Sequence, residues 1–115
     1  MTGKRILLVE DEGGIQTLLA EVLREARYEV DLAATVREAK THLADRIYDL
    51  VIADWKLPDG DGRLIADWAT ELGAKTFVMS GYLSRMPGGR ASDHETLMKP
   101  IHLPEFVDLV RRSIG

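Results

Sequence analysis

The feature that most constrains this fold is an alternation of short strand-like segments with amphipathic helical segments, repeated about five times along 115 residues. Uninterrupted apolar runs of four to eight residues are typical of strands buried on both faces. One segment alternates apolar and acidic residues instead, as a half-exposed edge strand does. The predicted strands are Ile6–Val9, Tyr28–Leu32 (the edge strand), Tyr48–Ala53, Thr76–Met79 and Thr96–Met98.

Four helices are predicted between and after these strands. Apolar residues recur every three or four positions over Ile15–Ala26, which keeps one stripe of a helix apolar. Thr35 and Glu38 form a capping box that begins the second helix. The third helix begins near Gly62, and Pro104 lies in the first turn of the last one.

This alternation predicts an α/β fold with a doubly wound, five-stranded parallel sheet and right-handed crossovers. The whole chain, residues 1–115, is expected to be one domain with no output domain visible. The segment 82–93 departs from the pattern because it contains Pro87-Gly88-Gly89 and few apolar residues. We therefore expect a short or irregular fourth helix there.

Composition narrows the possible partners. The chain has 15 basic and 19 acidic residues and a net charge of −4, so it lacks the basic surface that nucleic-acid binding requires. It contains no cysteine, which excludes disulfides, thiolate metal sites and thiol catalysis. Its apolar runs are too short to span a bilayer. A cytoplasmic protein without a nucleic-acid or membrane partner is expected, as a monomer or weak dimer.

Polar residues follow four of the five predicted strands at the point where each strand ends. In an open parallel sheet, ligands bind outside the carboxyl ends of the strands. The residues that this rule brings to one edge are Glu10 and Asp11, Asp54, Ser80 and Lys99. This coincidence predicts one functional site.

The chemistry of these residue types points to a metal and a phosphoryl group. Two carboxylates about 4 Å apart repel each other by about 4 kcal/mol at an effective dielectric constant of 20. A divalent cation relieves that repulsion, and Mg²⁺ suits oxygen ligands together with phosphate oxygens. Asp54 could then attack phosphorus as a nucleophile, while Lys99 and the Ser80 hydroxyl hold the transferred oxygens.

Four motifs in order resemble the receiver domain (CheY-like) of two-component response regulators. They are VEDE (Val9–Glu12), DWKLPDGDG (Asp54–Gly62), MSGY (Met79–Tyr82) and MKP (Met98–Pro100). The resemblance covers essentially the whole chain. It implies a flavodoxin-like sheet with strand order 2-1-3-4-5.

The resemblance also implies residue roles. Asp54 would accept a phosphoryl group from a histidine kinase or histidine phosphotransfer protein and switch a surface that contacts a downstream protein. The domain would catalyse no reaction beyond its own phosphorylation and slow dephosphorylation. The remaining implied roles are Mg²⁺ binding by Glu10, Asp11, Asp54 and the backbone carbonyl of Lys56, a switch hydroxyl on Ser80, a phosphate partner in Lys99, and a cis peptide between Lys99 and Pro100.

Two departures concern the switch region. Many receivers carry an aromatic residue three positions before the lysine, where this chain has Thr96, so the aromatic switch is either missing or moved to Tyr82. The segment between Ser80 and Lys99 is also short and broken, so the family's usual output surface of fourth helix, fifth strand and fifth helix is not carried over to this chain. We expect residues 82–93 to order differently on phosphorylation.

Alternatives from other classes stay open at this point. The chain could be a receiver fragment of a hybrid histidine kinase or a flavodoxin-like electron carrier, although the acidic residues 10–12 oppose a flavin phosphate. A phosphatase with an aspartyl-phosphate intermediate would need an acid where Lys56 stands. Other polar residues are assigned structural or surface roles: Glu12 as a helix-start acid, Asp59–Gly62 as a turn and helix start, and His42, His94 and His102 on the surface.

Overall fold

The computed structural model describes residues 3–81 and 94–115. The predicted irregular fourth helix and Tyr82 lie outside these residues. In chain order the elements are β1 (Arg5–Val9), α1 (Gly13–Glu25), β2 (Glu29–Ala33), α2 (Val36–Asp45), β3 (Leu50–Asp54), β4 (Lys56–Leu57), β5 (Gly60–Asp61), α3 (Gly62–Glu71), β6 (Lys75–Gly81), β7 (Glu95–Lys99) and α4 (Leu103–Ile114).

The five long strands form one parallel sheet in the order β2-β1-β3-β6-β7. Counting only those strands, this is the order 2-1-3-4-5 that the resemblance implies, and the predicted doubly wound α/β fold is confirmed. β3 lies at the centre and is buried along its whole length, which explains its uninterrupted apolar sequence.

Two apolar clusters cover the two faces of the sheet. Successive side chains of a strand point to opposite faces, so Ile6 and Leu8 join one cluster while Leu7 and Val9 join the other. Helices α1 and α4 supply the first cluster, and α2 and α3 supply the second. The core thus packs against β1, β2 and β3 from both faces of the sheet and against β6 and β7 from the face of the first cluster.

Capping side chains mark where α1 and α2 begin. Glu12 caps α1 by accepting hydrogen bonds from the amides of Gly14 and Ile15, as predicted. The Thr35 hydroxyl caps α2 by accepting a hydrogen bond from the amide of Glu38. In return, the Glu38 carboxylate accepts a hydrogen bond from the amide of Ala34. The predicted start of the second helix is therefore confirmed, although a capping box would have the Thr35 amide, not that of Ala34, as the donor to Glu38.

A small antiparallel hairpin, β4 with β5, follows the central strand and was not predicted. Asp61 caps α3, as expected for a helix start. Asp59 lies in the turn of the hairpin, and its carboxylate accepts hydrogen bonds from the amides of Val36 and Arg37 at 2.7 and 3.0 Å. It thereby caps a different helix, α2, and fastens the hairpin to it.

His94 contradicts the prediction of a surface role. Its side chain is only 4% exposed. The ring makes hydrogen bonds with the Asp67 carboxylate on α3 at 2.7 Å and the Thr76 hydroxyl on β6 at 2.8 Å. A buried imidazole needs polar partners, and these two residues provide them.

The described helices include none long and apolar enough to cross a membrane.

Candidate functional site at the carboxyl edge of the sheet

Parallel pairing brings the predicted polar residues to one edge of the sheet. Asp54, the last residue of β3, pairs in register with Met79, and Ser80 follows directly on β6. Lys99, at the end of β7, pairs with Gly81. Glu10 comes one residue after β1, whose Val9 pairs with Ala53. Residues far apart in sequence therefore meet at neighbouring strand ends.

Lys99 bridges the two buried carboxylates of this edge. Its ammonium nitrogen Nζ lies 2.7 Å from Glu10 Oε1 and 3.0 Å from Asp54 Oδ2. The Glu10 side chain is inaccessible, the Asp54 side chain is 12% exposed, and Lys99 is 19% exposed. The cation compensates much of the repulsion between the acids and leaves Asp54 the more accessible of the two carboxylates.

Burial and pairing shift the pKa values of this group. Burial raises the pKa of Glu10 above its ordinary value, although the hydrogen bond from Lys99 opposes that shift. Burial by itself would lower the pKa of Lys99, but the hydrogen bonds to Glu10 and Asp54 outweigh it and the pKa is raised. Lys99 is therefore held firmly in its charged form.

Backbone hydrogen bonds hold Glu10 in place. Its second carboxylate oxygen accepts a hydrogen bond from the amide of Glu12 at 3.0 Å. The Gln16 side-chain amide donates to the carbonyl oxygens of Glu10 and Ala33 at 3.0 and 3.1 Å. Glu10 is thus a fixed anchor for Lys99, tied to both β2 and α1.

Asp11 completes a group of acids that fits a divalent cation. Glu10, Asp11 and Asp54 each offer a carboxylate oxygen, and these oxygens lie within 4.8 Å of one another. Asp11 is exposed, so a cation could reach the group from solvent. A donor set made only of oxygens suits Mg²⁺ or Ca²⁺ rather than a softer metal.

The backbone just after Asp54 is held by two hydrogen bonds and one close contact. The amide of Trp55 donates to the carbonyl of Met79 at 2.8 Å, and the carbonyl of Trp55 accepts from Gly62 at 2.7 Å. A Cβ atom at Gly62 would overlap the carbonyl oxygen of Asp54. Only glycine fits there, so the sequence Asp61-Gly62 is needed to fold the loop back onto the site.

A charged cluster packs around Trp55, beside Asp54, and we call Trp55, Asp61 and Arg63 the indole clamp. The guanidinium of Arg63 lies 5.8 Å from the indole centroid, and Lys56 Nζ lies 5.2 Å from it. Arg63 also forms an ion pair with Asp61 at 2.6 Å. Burial alone would raise the pKa of Asp61, but hydrogen bonding and charge from Arg63 outweigh it and the pKa is lowered.

Arg63 was not singled out from the sequence. A signal was nevertheless present, because a cation in the first turn of a helix opposes the helix dipole and needs a local partner. Asp61, two residues earlier, is that partner.

The other predicted residues occupy the neighbouring strands. Ser80 is buried, and its hydroxyl donates a 3.3 Å hydrogen bond to the carbonyl of Gly81. The Thr96 hydroxyl donates to the carbonyl of His94 at 3.5 Å. The expected cis peptide between Lys99 and Pro100 is present. The switch roles of Ser80 and Thr96 remain predictions.

Comparison with known families agrees with this arrangement. The profile of the response regulator receiver domain family matches residues 6–111. The chain is 36% identical over 110 residues to the two-component response regulator ARR11 of Arabidopsis thaliana, covering 90% of this chain and 21% of ARR11. It is 29% identical over 120 residues to the virulence transcriptional regulatory protein PhoP of Salmonella typhimurium, covering 96% of this chain and 54% of PhoP. The chain thus spans about a fifth and about half of these curated relatives.

Solved structures give the same result. A CheY-like response regulator receiver domain protein from Methanospirillum hungatei superposes with a TM-score of 0.89 at 27% identity, covering 97% of this chain and 94% of the other. The non-phosphorylated HemR receiver domain of Leptospira biflexa gives 0.84 at 32% identity, with the same coverage. The response regulator protein TrrA of Thermotoga maritima, in complex with Mg²⁺-BeF, gives 0.84 at 31% identity, covering 95% and 97%.

The family match covers most of the chain, and the four motifs that suggested it converge on one edge of the sheet. The chain therefore belongs to the receiver domain family of two-component response regulators.

Proposed function

We propose that this receiver domain carries a phosphoryl group on Asp54 and that its state changes a protein–protein contact. The observation that carries the proposal is the bridge from Lys99 to both Glu10 and Asp54. It places a carboxylate that is 12% exposed beside a fixed cation, where an incoming anionic phosphoryl group would otherwise be repelled by the acids.

The proposed reaction is a phosphoryl transfer from a phosphohistidine of a histidine kinase or phosphotransfer protein. A carboxylate oxygen of Asp54 forms a bond to phosphorus as the phosphorus–nitrogen bond of the donor breaks. The donor imidazole leaves with the electron pair of that bond. Lys99 holds an oxygen of the transferred group, and the Ser80 hydroxyl can turn from the Gly81 carbonyl to donate to another. Water later attacks phosphorus, the bond between phosphorus and the Asp54 oxygen breaks, and inorganic phosphate leaves as the carboxylate is restored.

Glu10, Asp11, Asp54 and the backbone carbonyl of Lys56 are the groups that would hold Mg²⁺ here. When bound, the metal neutralises charge on the carboxylates and the phosphoryl oxygens. The response regulator protein TrrA, at 31% identity, was solved in complex with Mg²⁺-BeF, which supports a Mg²⁺ site in this fold.

The other function classes have weaker support. A phosphatase that uses an aspartyl phosphate would need an acid two residues after Asp54, where Lys56 packs its amine over Trp55. A flavin carrier would place a phosphate at the end of β1, where Glu10, Asp11 and Glu12 oppose an anion. We infer a phosphorylation-dependent switch with no other substrate, whether it works alone, within a larger regulator or as part of a hybrid histidine kinase.

The first prediction is that acetyl phosphate with Mg²⁺ adds one phosphoryl group to the chain and that Asp54→Asn abolishes this labelling. Intact-protein mass spectrometry measures the addition, and loss of the label in hydroxylamine identifies it as an acyl phosphate. Asp45→Asn is the matched control, because Asp45 is an exposed acid at the end of α2. It should label like the parent chain.

Undiminished labelling of Asp54→Asn would show that another residue is the acceptor. Labelling that proceeds equally in excess chelator would remove the proposed role of the metal.

A further inference from the structure

The indole clamp of Trp55, Asp61 and Arg63 has no part in the reaction proposed above, yet it borders the phosphoacceptor. We propose that Arg63 is a positioning residue that, through this clamp, prearranges the backbone after Asp54 for binding a divalent cation. This inference rests on the proposed function, because it concerns how that same site is kept ready.

The geometry of the clamp is specific. Two nitrogens of Arg63 contact the Asp61 carboxylate, with Nε at 3.1 and 3.0 Å from the two oxygens and an Nη nitrogen at 2.6 Å from Oδ2. The same guanidinium lies 5.8 Å from the centroid of the Trp55 ring, so Arg63 links the acid to the indole. The Arg63 side chain is 13% exposed and that of Asp61 is 33% exposed, so the ion pair is partly shielded from water. Forked contacts of this kind fix orientation as well as charge.

The hairpin beside the clamp is too short to be stable on its own and needs contacts with the rest of the domain. Strands β4 and β5 contain two residues each, and an isolated two-stranded hairpin is at best marginally stable. Lys56, Pro58, Asp59 and Gly60 are exposed, so apart from the clamp the hairpin is held by the buried side chain of Leu57 and by the cap from Asp59 to α2. The position of Lys56, two residues after Asp54, therefore depends on the side chains that hold the hairpin down.

The clamp also lies in the right place for this role. Its ring belongs to Trp55, the residue directly between Asp54 and Lys56. Its acid, Asp61, pairs with Lys56 across the hairpin. Arg63 thus contacts β5 through Asp61 and the residue just before β4 through the ring of Trp55.

The location of Arg63 itself needs an explanation. It is the second residue of α3, where the helix dipole disfavours a cation by about 0.3–1 kcal/mol when the site is exposed. A residue that violates a local preference while forming specific contacts beside a reactive group is expected to have a functional reason.

The test measures Mg²⁺ affinity directly by isothermal titration calorimetry, at a temperature where each variant is folded by circular dichroism. Arg63→Gln should weaken Mg²⁺ binding about tenfold, at the low end of the effect seen when groups supporting metal ligands are removed. Arg63→Lys keeps the charge without the fork and should give an intermediate affinity. It also replaces Arg63→Gln in the test if that variant does not fold.

Lys40→Gln is the matched control. Lys40 lies 5.4 Å from the ring of Trp68, so this change removes a cation from the chain's other tryptophan, away from Asp54. Its Mg²⁺ affinity should equal that of the parent chain. A general loss of stability would lower the unfolding temperature without changing the affinity of the folded protein.

A spectroscopic measurement separates positioning from a purely structural role. In a Trp68→Phe background, Trp55 is the only tryptophan. Its fluorescence anisotropy without metal should fall in Arg63→Gln because the ring has lost its restraint.

The outcomes distinguish the two proposals. Unchanged Mg²⁺ affinity in both Arg63 variants overturns the positioning role and leaves the proposed function intact. If Asp54→Asn binds Mg²⁺ as tightly as the parent chain, the proposed site is wrong, and the role of Arg63 is overturned with it.

Discussion

At the scale of single residues, burial and hydrogen bonding determine the role of each acid in the site. Glu10 is buried and fully engaged, by Lys99 on one oxygen and the amide of Glu12 on the other. Asp54 keeps partial access to solvent. Two acids with the same charge thus take different parts, one as an anchor and one as the candidate acceptor, because burial and hydrogen bonding differ between them.

Gly62→Ala is predicted to destabilise the fold and disturb the site. The added methyl group would meet the Asp54 carbonyl, which lies in the backbone of the central strand and cannot move aside. Overpacking of this kind costs about 1–3 kcal/mol, measurable as a lower urea midpoint with an unchanged slope.

Gly13→Ala provides the comparison for that change. A Cβ atom at Gly13, the first residue of α1, meets nothing within 4 Å. Alanine in a helix is favoured over glycine, so this variant should be as stable as the parent or slightly more stable. Equal stability of the two alanine variants would contradict the close contact at Gly62.

At the scale of elements, the small hairpin joins parts of the molecule that the sequence keeps separate. Its Asp59 caps α2, its Asp61 caps α3, and its first strand follows β3 directly. The N-termini of two helices are thus tied to the segment beside Asp54.

Asp59→Ala is predicted to lower stability in a pH-dependent way. The hydrogen bond from the Val36 amide, with that of Arg37 and its charge, lowers the pKa of Asp59 below its ordinary value. A lowered pKa in the folded state means that the stabilisation is complete above the ordinary value, near pH 4, and is lost as pH falls through the folded-state pKa. The stability difference between the parent and the variant should therefore be constant near neutral pH and shrink in acid.

Urea unfolding at a series of pH values measures this difference. Asp45→Ala serves as the control, because it removes an exposed acid from the opposite end of the same helix. A carboxylate at a helix C-terminus is not stabilised by the dipole, so no loss of stability is expected. A difference for Asp59→Ala that persists unchanged well below its folded-state pKa would exclude the charged cap.

The limits of prediction from sequence are also clearest at this scale. Strands, helices and the edge residues Glu10, Asp54 and Lys99 could be predicted, because periodicity and strand ends are local signals. The cap from Asp59 to α2 could not, because its partners lie 22 and 23 residues away and depend on how the hairpin is placed. His94 was assigned wrongly to the surface for the same reason, since its partners come from α3 and β6.

At the scale of the whole molecule, metal binding and folding are linked, because the proposed ligands come together only in the native sheet. A ligand that binds the folded state alone stabilises it by about 2.7 kcal/mol at one hundred times its dissociation constant. Mg²⁺ should therefore raise the unfolding temperature, and Asp54→Asn should reduce that increase.

Lys99→Gln is predicted to be less stable than the parent without metal and to gain more stability from Mg²⁺. The ammonium compensates Glu10 and Asp54 in the free protein, but it repels a cation bound to the same carboxylates. Removing one positive charge at this distance should strengthen Mg²⁺ binding roughly tenfold. Thermal unfolding over a Mg²⁺ series measures both effects.

Lys75→Gln is the control for net charge, because Lys75 is exposed at the start of β6, the opposite end of that strand from Ser80. Equal Mg²⁺ responses in Lys99→Gln and Lys75→Gln would argue against competition between the ammonium and the metal.

The acids of the site precede their lysine partner in the chain, and this order matters while the protein is being synthesised. Lys99 belongs to β7, which follows the other sheet strands in the chain, and pairs with acids that precede it by 89 and 45 residues. A nascent polypeptide in which β7 has not yet been made would carry Glu10 and Asp54 without their cation. On the function proposed above, such a chain should be a poor substrate for a phosphodonor, so that phosphorylation waits until β7 has joined the sheet.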